Sequence, residues 1–249
     1  MSACAAIKRR RLISFIGDIM EYLFNGFTLE TTPGCFPLST DSMVLCRFIK
    51  LTKNARVLDL GSGCGTLGTL LCAGDPNCTV LGMELDAAAH SCALENIRRN
   101  ALTGRLESIC ADLRNVPDLV ASGSFSCCIS NPPYFSSGPA SQATPLARRE
   151  DCCHPGDLMK AAAWALKFGG DFYLVHKPER LAELITTAAA HGLEAKRLGL
   201  VRHAPESAVS MILLQFRKGG KPGLILEEFC LFDSSDKPTN FYKEVYHME

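Results

Sequence analysis

From Arg56 onward, short apolar runs alternate with stretches whose apolar positions recur at helical spacing. Arg56-Val57-Leu58-Asp59-Leu60 has the pattern of a strand buried on both faces. A glycine-rich turn follows it and opens a predicted helix from Thr66 to Cys72. Cys78 to Met83 predicts a second strand, and Ala87 to Asn100 a helix with charge along one side. Leu106 to Cys110, Ser126 to Ser130 and Asp171 to Val175 predict further strands, with helices over Leu158 to Leu166 and Pro178 to Ala190. Alternation of this kind builds a parallel sheet covered on both faces by helices.

The pattern changes near the end. Glu194 to Val201 and Ala208 to Phe216 stand too close together for an intervening helix, so they predict an antiparallel pair closing the sheet. Lys218 to Gly223 is a turn into one more apolar run, Leu224 to Phe229. The expected fold is therefore α/β: a Rossmann-like, seven-stranded, mostly parallel sheet with helices on both faces and an antiparallel last strand. Residues 1–50 are expected to form a short helical or hairpin extension, and residues 51–249 one domain.

Composition changes this picture little. A chain of 249 residues with 47% hydrophobic and 21% charged residues suits one large α/β domain. Lys and Arg balance Asp and Glu at 26 each, so net charge points to no polyanion, although a neutral total can conceal a basic face. The 13 cysteines include no Cys-x-x-Cys pair, and Cys152-Cys153-His154 lacks a second ligand pair, so no metal site is expected. Free, buried thiols in a reducing compartment are the expected state. Lys8 to Arg11 precede an apolar stretch, but Asp18 and Glu21 interrupt it and no small-residue cleavage site follows. No run approaches the roughly 20 apolar residues of a membrane span. A cytoplasmic protein without a membrane partner is expected.

Chemistry gathers at the ends of the predicted strands. Asp59-Leu60-Gly61-Ser62-Gly63-Cys64-Gly65 passes from a strand into a helix. Gly61, Gly63 and Gly65 allow a tight turn, and a helix N-terminus there favours an anion: a dinucleotide's pyrophosphate, or the carboxylate of S-adenosylmethionine. Three acids favour the second ligand. Asp59 stands where a carboxylate can meet an ammonium, Glu84 where it can accept from both ribose hydroxyls, and Asp112 where it can hold an adenine amino group. A nicotinamide enzyme would also need a proton-transfer His or Tyr-Lys set, which the chain does not present.

Ser130-Asn131-Pro132-Pro133-Tyr134 follows the fourth strand. An amino group conjugated to a ring or carbonyl is a weak nucleophile because its lone pair is delocalised. Asn131 Oδ1 and the Pro132 carbonyl can each accept one of its N–H groups, orienting the nitrogen for in-line attack on a methyl group. The prolines stiffen the loop, and Tyr134, with Phe135, offers a flat surface for a planar group. Arg148 and Arg149 can contact phosphates beside a flipped base, or equally pair with Glu150 and Asp151. Lys177 ends a strand on the same side and can reach RNA. Arg98-Arg99 and Lys196-Arg197 read as solvated faces.

These motifs in this order resemble the amino-methyltransferases bearing Asn-Pro-Pro-Tyr, and most closely the bacterial tRNA1(Val) adenine-N6 methyltransferase family. Phe36 to Leu45 and the tail Phe241 to Tyr246 are similar to the corresponding segments of that family. The resemblance implies S-adenosyl-L-methionine as cofactor, bordered also by Thr40 and Asp41, and a tRNA partner. It leaves open methylation of a protein glutamine amide, or of an exocyclic amine in rRNA or DNA. A non-catalytic RNA-binding module of the same fold is a more distant alternative.

Overall fold

The computed structural model describes residues 12–13, 19–32, 37–132 and 154–248. Strands β1 (Leu12–Ile13), β2 (Ile19–Tyr22) and β3 (Thr28–Thr31) form a small antiparallel sheet. Helix α1 (Thr40–Phe48) leads to β4 (Arg56–Leu60), α2 (Thr66–Gly74), β5 (Thr79–Glu84), α3 (Ala87–Arg99) and β6 (Leu106–Cys110). After α4 (Val116–Leu119) come β7 (Phe125–Ser130), α5 (Pro155–Ala165), β8 (Leu166–His176) and α6 (Leu181–Ala190). The chain closes with β9 (Leu193–Arg202), β10 (Val209–Lys218), β11 (Ile225–Cys230) and α7 (Asn240–Val245).

The main sheet has eight strands in the order β11-β9-β10-β8-β7-β4-β5-β6, one more than the sequence pattern predicts. From β6 to β8 all neighbours are parallel. β10 is antiparallel to β9, as the short connection between them requires, and antiparallel to β8 as well. The additional strand is β11, which pairs parallel to β9 from Ile225↔Arg197 to Cys230↔Arg202. β8 begins at Leu166 rather than at Asp171. Its register against β7 shifts between Phe125 and Cys127, and Gly169, at φ 77°, supplies the irregular backbone that breaks the apolar pattern.

Alternate residues of the central strands feed two apolar layers. Val57, Val80, Cys127, Ile129, Tyr173 and Leu213 pack beneath α1, α2 and α7. Leu58, Cys128, Phe172, Leu174, Ile212 and Leu214 pack beneath α5 and α6. This two-sided burial is why these strands read as unbroken apolar runs. The nine described cysteines are all free, and six are buried. Arg197 is not solvated: only 8% exposed, it lies 3.9 Å from the Phe48 ring centroid and pairs with Glu227 at 2.7 Å. The strand that carries Glu227 covers it, so the eighth strand explains this departure too.

Asn96 on α3 ties the N-terminal sheet to the rest. Its Oδ1 accepts the Glu30 N–H at 2.8 Å, and Nδ2 donates to the Glu30 and Cys64 carbonyls at 2.9 Å each. The side chain is fully buried, so removing it strands backbone groups away from water. Asn96→Ala is expected to lower stability by about 2–3 kcal/mol. Urea unfolding followed by circular dichroism checks this; a loss below about 0.5 kcal/mol would contradict it.

Candidate cofactor and methyl-acceptor site

The chain leaves β4 toward β5 and β6 on one side and resumes at β7 on the other. β4 and β7 are therefore neighbours at a point where the strand order reverses, with their carboxyl ends opening into one crevice. Ser130 fastens the two ends, its Oγ donating to the Leu60 carbonyl at 2.7 Å.

On the β4 side, Gly61, Gly63 and Gly65 have φ of 76°, 56° and 77°, in the left-handed region that side chains disfavour. Most of the loop's own N–H groups are already used. Gly61 and Ser62 donate to the Met83 carbonyl, Gly65 to the Ser62 carbonyl, and Gly63 to Glu84 Oε2 at 2.8 Å. The glycines thus shape the loop more than they offer donors. The first turn of α2 carries leading N–H groups without intrahelical partners, and its N-cap, Gly65, has no side chain to satisfy them. The loop lies tight on β5: a Cβ at Gly82 would come within 2.7 Å of Ser62 Oγ.

Asp59 is 1% exposed, and neither carboxylate oxygen has a hydrogen-bond partner. Burial, reinforced by the neighbouring Glu84 carboxylate, pushes its pKa up to about 8. The Gly68 N–H pulls the other way but does not reach hydrogen-bond geometry. Glu84 is better served, with Oε1 accepting the Asp86 N–H at 2.8 Å in addition to the Gly63 bond. Its remaining lone pairs can accept further donors. Asp112 caps the short turn after β6 and is held by the Arg114 guanidinium at 2.5–3.0 Å, which depresses its pKa. The sequence alone does not indicate that ion pair.

On the β7 side, Asn131 Nδ2 donates to Ser42 Oγ at 3.0 Å, and Pro132 is buried. Pro133, Tyr134, Phe135, Arg148 and Arg149 lie outside the described residues, as do Lys8 to Arg11 and Cys152-Cys153. Helix α1 borders the crevice through its first turn. Thr40 Oγ1 bonds Tyr246 OH at 2.9 Å, and Asp41 is half-buried, its pKa raised by burial against the opposing charge of Lys177. Lys177 is largely exposed and donates to the Ser210 carbonyl at 3.4 Å. Preceding it, fully buried His176 is kept neutral by desolvation, its pKa lowered to about 4. Ser42, Ser130 and Tyr246 are contacts that no local spacing pattern singles out, because each partner is more than 60 residues away.

A profile of the methyltransferase small domain matches residues 26–190, from the N-terminal sheet through the glycine loop and β7 to the end of α6. The chain belongs to the methyltransferase small domain family. A protein of Bacteroides fragilis named tRNA1(Val) (adenine(37)-N6)-methyltransferase is 28% identical over 231 residues, covering 90% of this chain and 97% of that one. A protein of the same name from Actinobacillus pleuropneumoniae is 26% identical, covering 90% and 94%. Among solved structures, an Agrobacterium tumefaciens protein described as a predicted O-methyltransferase superposes with a TM-score of 0.70 at 21% identity, covering 84% of this chain and 96% of that one. Geranyl diphosphate C-methyltransferase from Streptomyces coelicolor superposes at 0.55 with 12% identity, over 71% and 79%. These two share the fold. Among the described residues no group of His, Cys, Asp or Glu can hold a metal ion, and no helix is long and apolar enough to cross a membrane.

The raised pKa of Asp59 makes a pH prediction for this methyltransferase without ligand. From about pH 4 to about pH 8 the folded protein keeps a proton that the unfolded chain, with the ordinary value of 3.8, has lost. Stability from this group therefore falls as pH rises through that window and levels off above it. Asp59→Asn is expected to melt at higher temperature than the wild type at pH 8, with the difference shrinking toward pH 4. Equal melting temperatures at pH 8 would contradict the buried, unpaired carboxylate.

Proposed function

We propose that the chain is an S-adenosylmethionine-dependent N-methyltransferase acting on N6 of an adenosine in tRNA, in the cytoplasm. The observation that carries the cofactor assignment is the buried Asp59 carboxylate without a partner, beside a glycine loop and a helix N-terminus. Such a group is stable as an anion only when a cation meets it. The cofactor's amino acid moiety brings an ammonium for Asp59 and a carboxylate for the first turn of α2, beyond Gly61, Gly63 and Gly65. Glu84 accepts from the ribose hydroxyls, and Asp112, already oriented by Arg114, keeps an acceptor lone pair for the adenine amino group. Thr40 and Asp41 border the same space from α1. When bound, the cofactor supplies an electrophilic methyl group on a sulfonium.

The residues after β7 handle the acceptor. Asn131 Oδ1 and the Pro132 carbonyl take the two N–H groups of the exocyclic amine, which draws its lone pair out of conjugation and aims it. Tyr134 and Phe135 stack on the base. Arg148, Arg149 and Lys177 bind flanking phosphates. No side chain need act as a base, because the methylated nitrogen sheds its proton to water. The tRNA substrate rests on the two relatives of that name, which match nearly their whole length to this chain.

The test is methyl transfer from labelled S-adenosylmethionine into tRNA lacking the modification and, in parallel, into protein extract. Label should appear in tRNA and digest to N6-methyladenosine. Asn131→Ala should lower turnover at least about 100-fold while cofactor affinity stays within about twofold. Label confined to protein would overturn the tRNA reading, and full turnover by Asn131→Ala would overturn the role of that residue.

A further inference from the structure

An asparagine amide is nearly symmetric in shape, and its two ends differ mainly in hydrogen bonding. If Asn131 is to accept from an amino group, something must keep Oδ1 and not Nδ2 facing it. Ser42 is placed to do so. It sits in the first turn of α1, only 4% exposed, and its Oγ accepts Asn131 Nδ2 at 3.0 Å. Ser42 is itself held: its N–H donates to Ser39 Oγ at 3.2 Å, and the two hydroxyl oxygens are 3.3 Å apart. A Ser42 hydroxyl turned toward Ser39 presents a lone pair, not a proton, to Asn131. With Nδ2 engaged there, no described residue donates to Oδ1.

The helix carrying Ser42 is anchored from the far end of the chain. Tyr246 OH bonds Thr40 Oγ1 at 2.9 Å, and Glu244 pairs with Arg47. Met43, Val44, Leu45 and Phe48 bury its inner face in the core. Ser42 Oγ therefore stays beside Asn131, and its proton, when turned to Ser39 Oγ, leaves a lone pair facing Nδ2. A reversed amide would set N–H groups against the substrate's own N–H groups, losing the attraction that orients the nitrogen.

We infer that Ser42 is a positioning residue whose hydroxyl fixes the orientation of the Asn131 amide, so that an acceptor faces the substrate amine. The inference rests on the acceptor role proposed for Asn131. It predicts that Ser42→Ala lowers kcat roughly ten- to a hundredfold, with cofactor affinity within about twofold. Ser42→Thr, which keeps the hydroxyl, should recover most of the rate. In an Asn131→Asp background both ends of the side chain are oxygen atoms and orientation no longer matters. There, adding Ser42→Ala should change kcat by less than about threefold.

Steady-state kinetics of these variants, with cofactor calorimetry and melting curves, provide the test. Wild-type kcat in Ser42→Ala while Asn131→Ala is inactive would overturn the inference and leave the role of Asn131 standing. Equal losses from Ser42→Ala in the Asn131 and Asp backgrounds would overturn it as well, reducing Ser42 to a structural part. Should Asn131→Asp turn over too slowly to measure, the Ala–Thr comparison decides: equal loss in both, with unchanged melting, refutes it. Full activity of Asn131→Ala would remove the acceptor role and this inference together.

Discussion

A carboxylate with no partner governs this structure. Asp59 is placed by β4 beside Glu84 at the end of β5, and the fold gives Glu84 two backbone N–H groups but gives Asp59 none. Burial, reinforced by the neighbouring Glu84 carboxylate, disfavours the charge on Asp59, and the free protein accommodates this by favouring a proton there. The surrounding features serve this arrangement. The loop turns sharply over β5 because its glycines adopt positive φ, and it fits closely because Gly82 has no side chain. The crevice thus holds an unpaired carboxyl group beside a helix N-terminus, which suits the amino acid end group proposed to bind there.

The other half of the site depends on distant segments meeting at one helix. α1 receives Tyr246 and Glu244 from the C-terminal helix, while its first turn reaches Asn131 through Ser42. Asn96 joins the N-terminal sheet to the Cys64 carbonyl in the glycine loop. Segments near both ends of the chain therefore support the two loops that face each other across the β4–β7 junction. The same strand reversal that creates the crevice brings Asp59 at the end of β4 and Asn131 after β7 to a common edge.

Much of this was legible from the pattern of residues. Apolar runs located the central strands because those strands are buried on both faces, and the glycine loop was evident from its place between a strand and a helix. The pattern marks Leu224 to Phe229 as an apolar run but does not place β11 in the sheet, because its parallel partner, β9, is not its neighbour in sequence. Arg197 reads as solvated for the same reason: the strand that buries it is the one the pattern does not add to the sheet. Asp112 could be located by sequence, but its ion pair with Arg114 is a local geometry that spacing does not reveal. The contact of Ser42 with Asn131 is not legible in the sequence, because its partner lies 89 residues away.

Pairing of Asp59 with the cofactor's ammonium would have a direct thermodynamic signature. A carboxylate protonated up to about pH 8 in the free protein must release its proton when a cation displaces it. S-adenosylmethionine binding should be measured by titration calorimetry at pH 7 in buffers of different ionisation enthalpy. Close to one proton should be released per cofactor bound, with the release abolished in Asp59→Asn. Binding without proton release in the wild type, or no binding at all, would contradict it.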